Sequence, residues 1–322
     1  MMSILSILLM IWGGVSSFAL YNKWGRPCTS EERSLLEDRS YLVLLIMAIV
    51  LTMRLVNWPL FYATLQSFIP DLEGAMCIFG TTQVKPGLTR FLEFLKPINF
   101  FLIGGWFILH HLDRSTKTSP LMRRKLLILS GISLFVLLDS FGDLFLMLGI
   151  TPESLVSCCT TVTDISSRST RTTPTSIFGP EYAHSLRTLF FITHLSLMGF
   201  IGLNLKFKRF YRPLSGVIFL FSLFNAILFL LSQIEVFAPT MMHLPFHHCL
   251  YCLWQYVPDS ILLFAFFFLG TFSVGWVFTT DLFGGHRDTV ELLPVFLRKI
   301  YAFAFFFLSA SLVMLIIHLG VG

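Results

Sequence analysis

The sequence predicts an all-α, polytopic transmembrane helix bundle of about eight spans, and three observations predict it. Of its 322 residues 55% are hydrophobic and only 13% charged, about half the charged share of a soluble domain. Apolar blocks of roughly 18 to 24 residues recur along the whole length, the length a helix needs to cross about 30 Å of hydrocarbon. No polar stretch is long enough for a soluble domain. The longest interruption, 149–187, is rich in Ser and Thr and reads from Thr160 to Ser176 as a flexible linker. Residues 1–322 are therefore expected to form a single integral membrane domain.

The spans are expected at 3–20, 41–65, 94–112, 126–148, 188–205, 214–237, 260–281 and 300–320. No basic residue precedes the first block and no small-residue cleavage pattern follows it, so it reads as a retained span, not a secretory signal. The second carries Arg54 and Asn57. The third ends in His110 and His111, which read as interfacial. The fourth holds Asp139 and Asp143, four apart and so on one helix face. The fifth holds His194, the sixth ends in Gln233 and Glu235, and the last ends in His318.

Basic residues near span ends resist translocation, so the Lys and Arg of alternate loops set the orientation. The loops at 21–40, 113–125, 206–213 and 282–299 hold 16, against 5 in those at 66–93, 149–187 and 238–259; only Arg54 and Lys96 lie in spans. The asymmetry places both termini on the extracytoplasmic side of a cytoplasmic or inner membrane. The net charge of +5 then reflects anchoring at the inner face of a lipid bilayer, and no nucleic-acid partner is expected.

On this topology five of six cysteines fall in outer loops: Cys77, the vicinal Cys158 and Cys159, and Cys249 and Cys252 in the loop 238–259. Cys28 alone lies inside. An outer location permits disulfides, and an odd number leaves one thiol over. Adjacent cysteines bond to each other poorly, so Cys158 and Cys159 are disulfide candidates toward other loops.

The run His247-His248-Cys249-Leu250-Tyr251-Cys252 places two thiols three residues apart beside two imidazoles. That donor set suits a soft or borderline metal, Zn or Cu(I), with Cys77 as a further ligand from another loop. Leu253 follows the second cysteine where a c-type haem attachment needs His. A bis-imidazole b-type haem would fall to His194 and His318.

The polar residues within the spans, Arg54, Asp139, Asp143 and Glu235 among them, lie in the outer half of the bilayer, where a buried pairing of Arg54 with a carboxylate is expected. With the inner half nearly blank, a solute carrier with a site at the midplane is disfavoured. Three readings remain. The leading one is an extracytoplasmic Cys/His site handling a soft metal or metal-bearing cofactor, with other membrane subunits or an extracytoplasmic redox or metal-carrying protein as partners. The second is a quinone-linked thiol–disulfide oxidoreductase, in which Cys249 and Cys252 as catalytic pair close to a disulfide. Their two electrons would pass to membrane quinone, and the carboxylates in the outer half of the spans would take up the protons released. The third is a disulfide-stapled accessory subunit.

Overall fold

Eight helices among the described residues are long and apolar enough to cross a membrane, at Ile4–Trp24, Ser30–Asp71, Pro86–Arg114, Met122–Met147, Tyr182–Lys206, Leu214–Met241, Ser260–Phe283 and Leu293–Gly320. The chain is an all-helical, multi-pass membrane protein. The computed structural model describes residues 2–27, 29–116, 118–150, 156, 182–206, 212–245 and 247–321. Cys28, Cys158, Cys159 and most of the 149–187 loop lie outside them.

The helices run on past the apolar blocks because polar ends find local partners. Helix α1 covers Met2–Trp24 and α2 covers Ser30–Ser67. At the start of α2 the Thr29 hydroxyl accepts from the Glu32 amide at 3.3 Å, and the Glu32 carboxylate accepts from the Thr29 amide at 2.9 Å. This reciprocal cap satisfies two amides that a helix start otherwise leaves open. After α2 comes the one-turn α3, Ile78–Thr82, then α4, Pro86–Arg114, and α5, Met122–Met147. Proline suits the first turn of α4 because its missing N–H would have no partner there.

The chain folds as two compact units. The first comprises Met1–Ala75, Thr81–Val156 and Leu282–Leu293. In it α1 packs against α2 and α5, and α4 against α5. Met10, Met47, Leu51, Trp106, Leu129 and Val136 form its apolar centre. The turn after α2 is fixed by Gly74, at φ +86°: a Cβ there would meet the Val156 carbonyl oxygen at 2.2 Å, while the Val156 amide donates to the Glu73 carbonyl at 3.0 Å.

Polar groups are also buried at one end of this unit, in residues that the sequence reading placed in the loop 113–125. Asp113, expected in a loop, is fully buried at the end of α4. Its carboxylate pairs with Lys125 at 2.5 Å and accepts from the Leu121 amide at 2.7 Å. Asp113 sits about 25 Å along α4 from Lys96, at 1.5 Å per residue. The helices simply continue to residues assigned to the loop, and the pair neutralises itself as it is withdrawn from water.

The second unit comprises Met76–Gly80, Ser157–Asp281 and Pro294–Gly322. It contains α6, Tyr182–Lys206, and α7, Arg212–Ser232, which continues as a π turn over Gln233–Phe237 and a last turn α8, Ala238–Met241. The short α9, Leu250–Tyr256, leads to α10, Ser260–Phe283, and α11, Leu293–Val321. Aromatic rings fill its core: Phe229 stacks on Phe267 with centroids 3.6 Å apart, and Phe190 packs against Phe229 and Phe237.

In lipid the driving force between helices is close packing, so small residues sit where helices touch. Gly270 of α10 is such a point: a Cβ there would stand 2.7 Å from Leu308 Cγ and 3.0 Å from the Leu308 amide nitrogen, which cannot swing away. Gly142 of α5 would meet only the Leu92 side chain, at 2.5 Å. Gly270→Ala is therefore expected to cost about 1 to 3 kcal/mol and Gly142→Ala less, since a rotamer change relieves the second clash. Unfolding midpoints of the two variants in detergent check the order, and equal midpoints would refute it.

Candidate functional site

Three thiols meet in the second unit. The Sγ atoms of Cys77, Cys249 and Cys252 all lie within 4.8 Å of one another, and the Cys77 and Cys252 sulfurs are 3.5 Å apart. All three residues are buried, at 2%, 2% and 6% exposure. No pair of them is at bonding distance, since a disulfide would bring two sulfurs to about 2.05 Å.

Local structure explains how Cys249 and Cys252 come together. Cys249 is the N-cap of α9, in extended conformation at φ −87° and ψ 115°, and Cys252 is the third helical residue. This is the spacing at which a cap side chain and the third residue of the helix reach toward each other. Cys77, just ahead of α3, brings the third sulfur from a part of the chain 175 residues away from Cys252.

The same proximity splits the acidities of the thiols. Hydrogen bonds from the Cys252 and Cys77 thiols, with backbone amides of Cys252 and Tyr251 assisting, push the Cys249 thiol well below the ordinary cysteine range. The Cys252 thiol is pushed up, chiefly because it hydrogen-bonds to Cys249 and Cys77. Physically, the first sulfur to ionise is held by two neutral neighbours, and each further ionisation then opposes a charge already present.

The two imidazoles of the sequence run behave differently. His248 Nδ1 donates to the Ile234 carbonyl at 2.9 Å and lies 3.8 Å from Glu235 Oε2, which also accepts from the Tyr182 hydroxyl at 2.6 Å. That carbonyl is open for a definite reason. In the π turn the Ala238 amide bonds back to Gln233, and the next residue, Pro239, has no N–H to offer. His247 makes no such commitment among the described residues. Burial lowers its basicity, and the nearby Cys77 opposes that shift. Neither imidazole joins the three sulfurs within the 4.8 Å separation.

A second constellation lies in the first unit, within the membrane spans. Arg54 forms an ion pair with Asp139 and stands 3.5 Å from Asp143. Lys96 donates to Asp139 Oδ1 at 2.9 Å and to Asp143 Oδ1 at 2.7 Å. Asn57 donates to the remaining Asp143 oxygen at 3.0 Å, and the Lys96 ammonium lies 4.2 Å from the centre of the Phe61 ring. Two cations and two carboxylates thus cancel in a buried tetrad. Sequence reasoning passed over Lys96, although it shares with Arg54 the distinction of being a basic residue inside an apolar block. Tyr182, which holds Glu235, was also missed, because no local pattern links residues 53 positions apart.

The haem candidates occupy separate settings in the second unit. His194 donates through Nε2 to the Leu308 carbonyl at 3.3 Å and accepts at Nδ1 from Asn225 at 3.2 Å, so both ring nitrogens are engaged. His318 pairs with Asp259 at 3.1 Å. The disulfide candidates Cys158 and Cys159 lie outside the described residues. Comparison with protein-family models, curated protein sequences and solved structures returns no match to this chain.

Proposed function

We propose that this membrane protein carries a soft-metal centre, for Zn(II) or Cu(I), on the thiolates of Cys77, Cys249 and Cys252. The observation that carries the reading is the convergence of three buried sulfurs within 4.8 Å of one another. Three sulfurs each about 2.3 Å from one Zn at tetrahedral angles would lie about 3.8 Å apart, inside that limit. Binding a divalent ion would release the thiol protons, and a dry apolar surround would hold the resulting thiolates only while the cation neutralises them.

The metal would be bound on the extracytoplasmic side, by the 16 to 5 asymmetry of basic residues. Thiol oxidoreduction is the second reading, favoured by the 3.5 Å approach of Cys77 to Cys252, an arrangement suited to thiol–disulfide exchange within the cluster. Burial weighs against it, because a protein dithiol substrate must reach the attacked sulfur.

The deciding experiment is elemental analysis of the purified full-length protein, with thiol counting before and after chelation. About one Zn or Cu per chain is expected, with the three thiols alkylated only once the metal is stripped. A metal-free protein whose thiol count rises with reductant would overturn the metal reading in favour of the dithiol.

A further inference from the structure

The tetrad of the first unit lines a small cavity, and the groups around it specify what it takes. Arg54, Lys96, Asn99 and Asp139 supply polar wall, and the half-buried rings of Trp58 and Phe100, with centroids 5.2 Å apart, supply apolar wall. The cavity volume, as space for the centre of a water molecule, is about 10 Å³. That is about what a single water needs.

Asn99 is the group that the tetrad does not satisfy. It is only 4% exposed. Its Nδ2 donates to the Phe135 carbonyl at 3.4 Å, and its Oδ1 has no hydrogen-bond partner among the described residues. The reverse orientation of the amide would set Oδ1 against that carbonyl, two acceptors with no donor between them. Oδ1 is therefore the end left to the cavity, and a buried acceptor left unpaired is costly. On the tetrad side, Arg54 meets both carboxylates through Nη2, which leaves other N–H groups of a five-donor guanidinium for a further acceptor. Asp139 accepts from Lys96 at Oδ1 and from Arg54 at Oδ2, and each carboxylate oxygen can accept more than once.

A species bound here must accept from Arg54 and donate to Asn99. It must also be neutral, because the two cations and two carboxylates already cancel and an added ion would leave an unbalanced charge beside apolar walls. We propose that the cavity is a binding site for one water molecule, which accepts from Arg54 and donates to Asn99 Oδ1 and Asp139, bridging α2, α4 and α5. The tetrad is then a hydrated charge site inside the membrane, with a molecule able to exchange protons in contact with Asp139, and not only a clamp between helices. This assignment does not depend on what the thiol cluster binds.

A crystal structure of the full-length protein, at a resolution that shows ordered water, should place one peak about 3 Å from Asn99 Oδ1. Soaks with bromide or rubidium should give no anomalous signal there. In infrared difference spectra, Asn99→Leu should lose one O–H stretching band that shifts on exchange into water labelled with oxygen-18. Its unfolding midpoint should stay near that of wild type, because the acceptor and its water leave together. A band retained in Asn99→Leu would show that Asn99 does not hold the water. A wild-type cavity without a water peak overturns the site, and an anomalous peak within it overturns the neutral class. The wild-type structure decides the matter even if Asn99→Leu does not fold.

Discussion

Lys96→Leu is expected to cost about 3 to 5 kcal/mol of stability in detergent, the cost of stranding a buried charge whose partner has been removed. Lys96 donates to both Asp139 and Asp143, at 2.9 and 2.7 Å, and it is almost completely buried. Without it two carboxylates face Arg54 alone, and the excess negative charge must either remain in an apolar interior or be neutralised by taking up a proton. Arg54→Leu should act in the same direction, leaving both carboxylates on Lys96.

Changing Lys96 and Asp143 together to leucine should recover most of the loss, because the remaining Arg54–Asp139 pair is again neutral. The tetrad would then contribute little net stability while being costly to break. Unfolding midpoints of Lys96→Leu, Asp143→Leu and the double variant give the coupling directly. An unchanged midpoint in Lys96→Leu would show that the tetrad is not withdrawn from water as its burial implies.

The second large effect is expected at the thiols. Cys77→Ser, Cys249→Ser and Cys252→Ser should each lower metal affinity by roughly two to three orders of magnitude, since a structural zinc contributes about 10 to 16 kcal/mol shared over about four ligands. The Cys77 variant is the most informative. Cys249 and Cys252 belong to one cap and would stay adjacent in any fold of α9, whereas Cys77 reaches them only through the tertiary structure. Competition with a chromophoric chelator, read on each variant and on the wild type, measures the change. Full affinity in Cys77→Ser would remove Cys77 from the ligand set and leave a two-thiol site.

Part of this architecture was legible in the sequence. The apolar blocks disclosed the eight spans, because about 30 Å of hydrocarbon demands a run of that length and a helix satisfies its own backbone. Their ends were less legible. Asp113 and Lys125 counted as loop residues by composition, yet each is helical and buried, since their mutual pairing removes the penalty that composition assigns to them. The i,i+4 spacing of Asp139 and Asp143 was visible as a shared face, but that Lys96 on a third helix completes their neutralisation was not, because helix rotation about its axis is set by packing.

For the site, the sequence by itself determined the donor chemistry: two thiols three residues apart, two imidazoles before them, and a further cysteine in another interhelical segment. Only the tertiary structure decided which of these meet. Cys77 converges with Cys249 and Cys252, a contact across 175 residues that no local periodicity encodes. His248 is drawn away by a carbonyl that exists as an open acceptor only because Pro239 lacks an N–H and the helix before it widens into a π turn. Local rules act within a few residues of the chain, whereas ligand sets are assembled by packing, and that is the physical reason the chemistry could be read before its geometry.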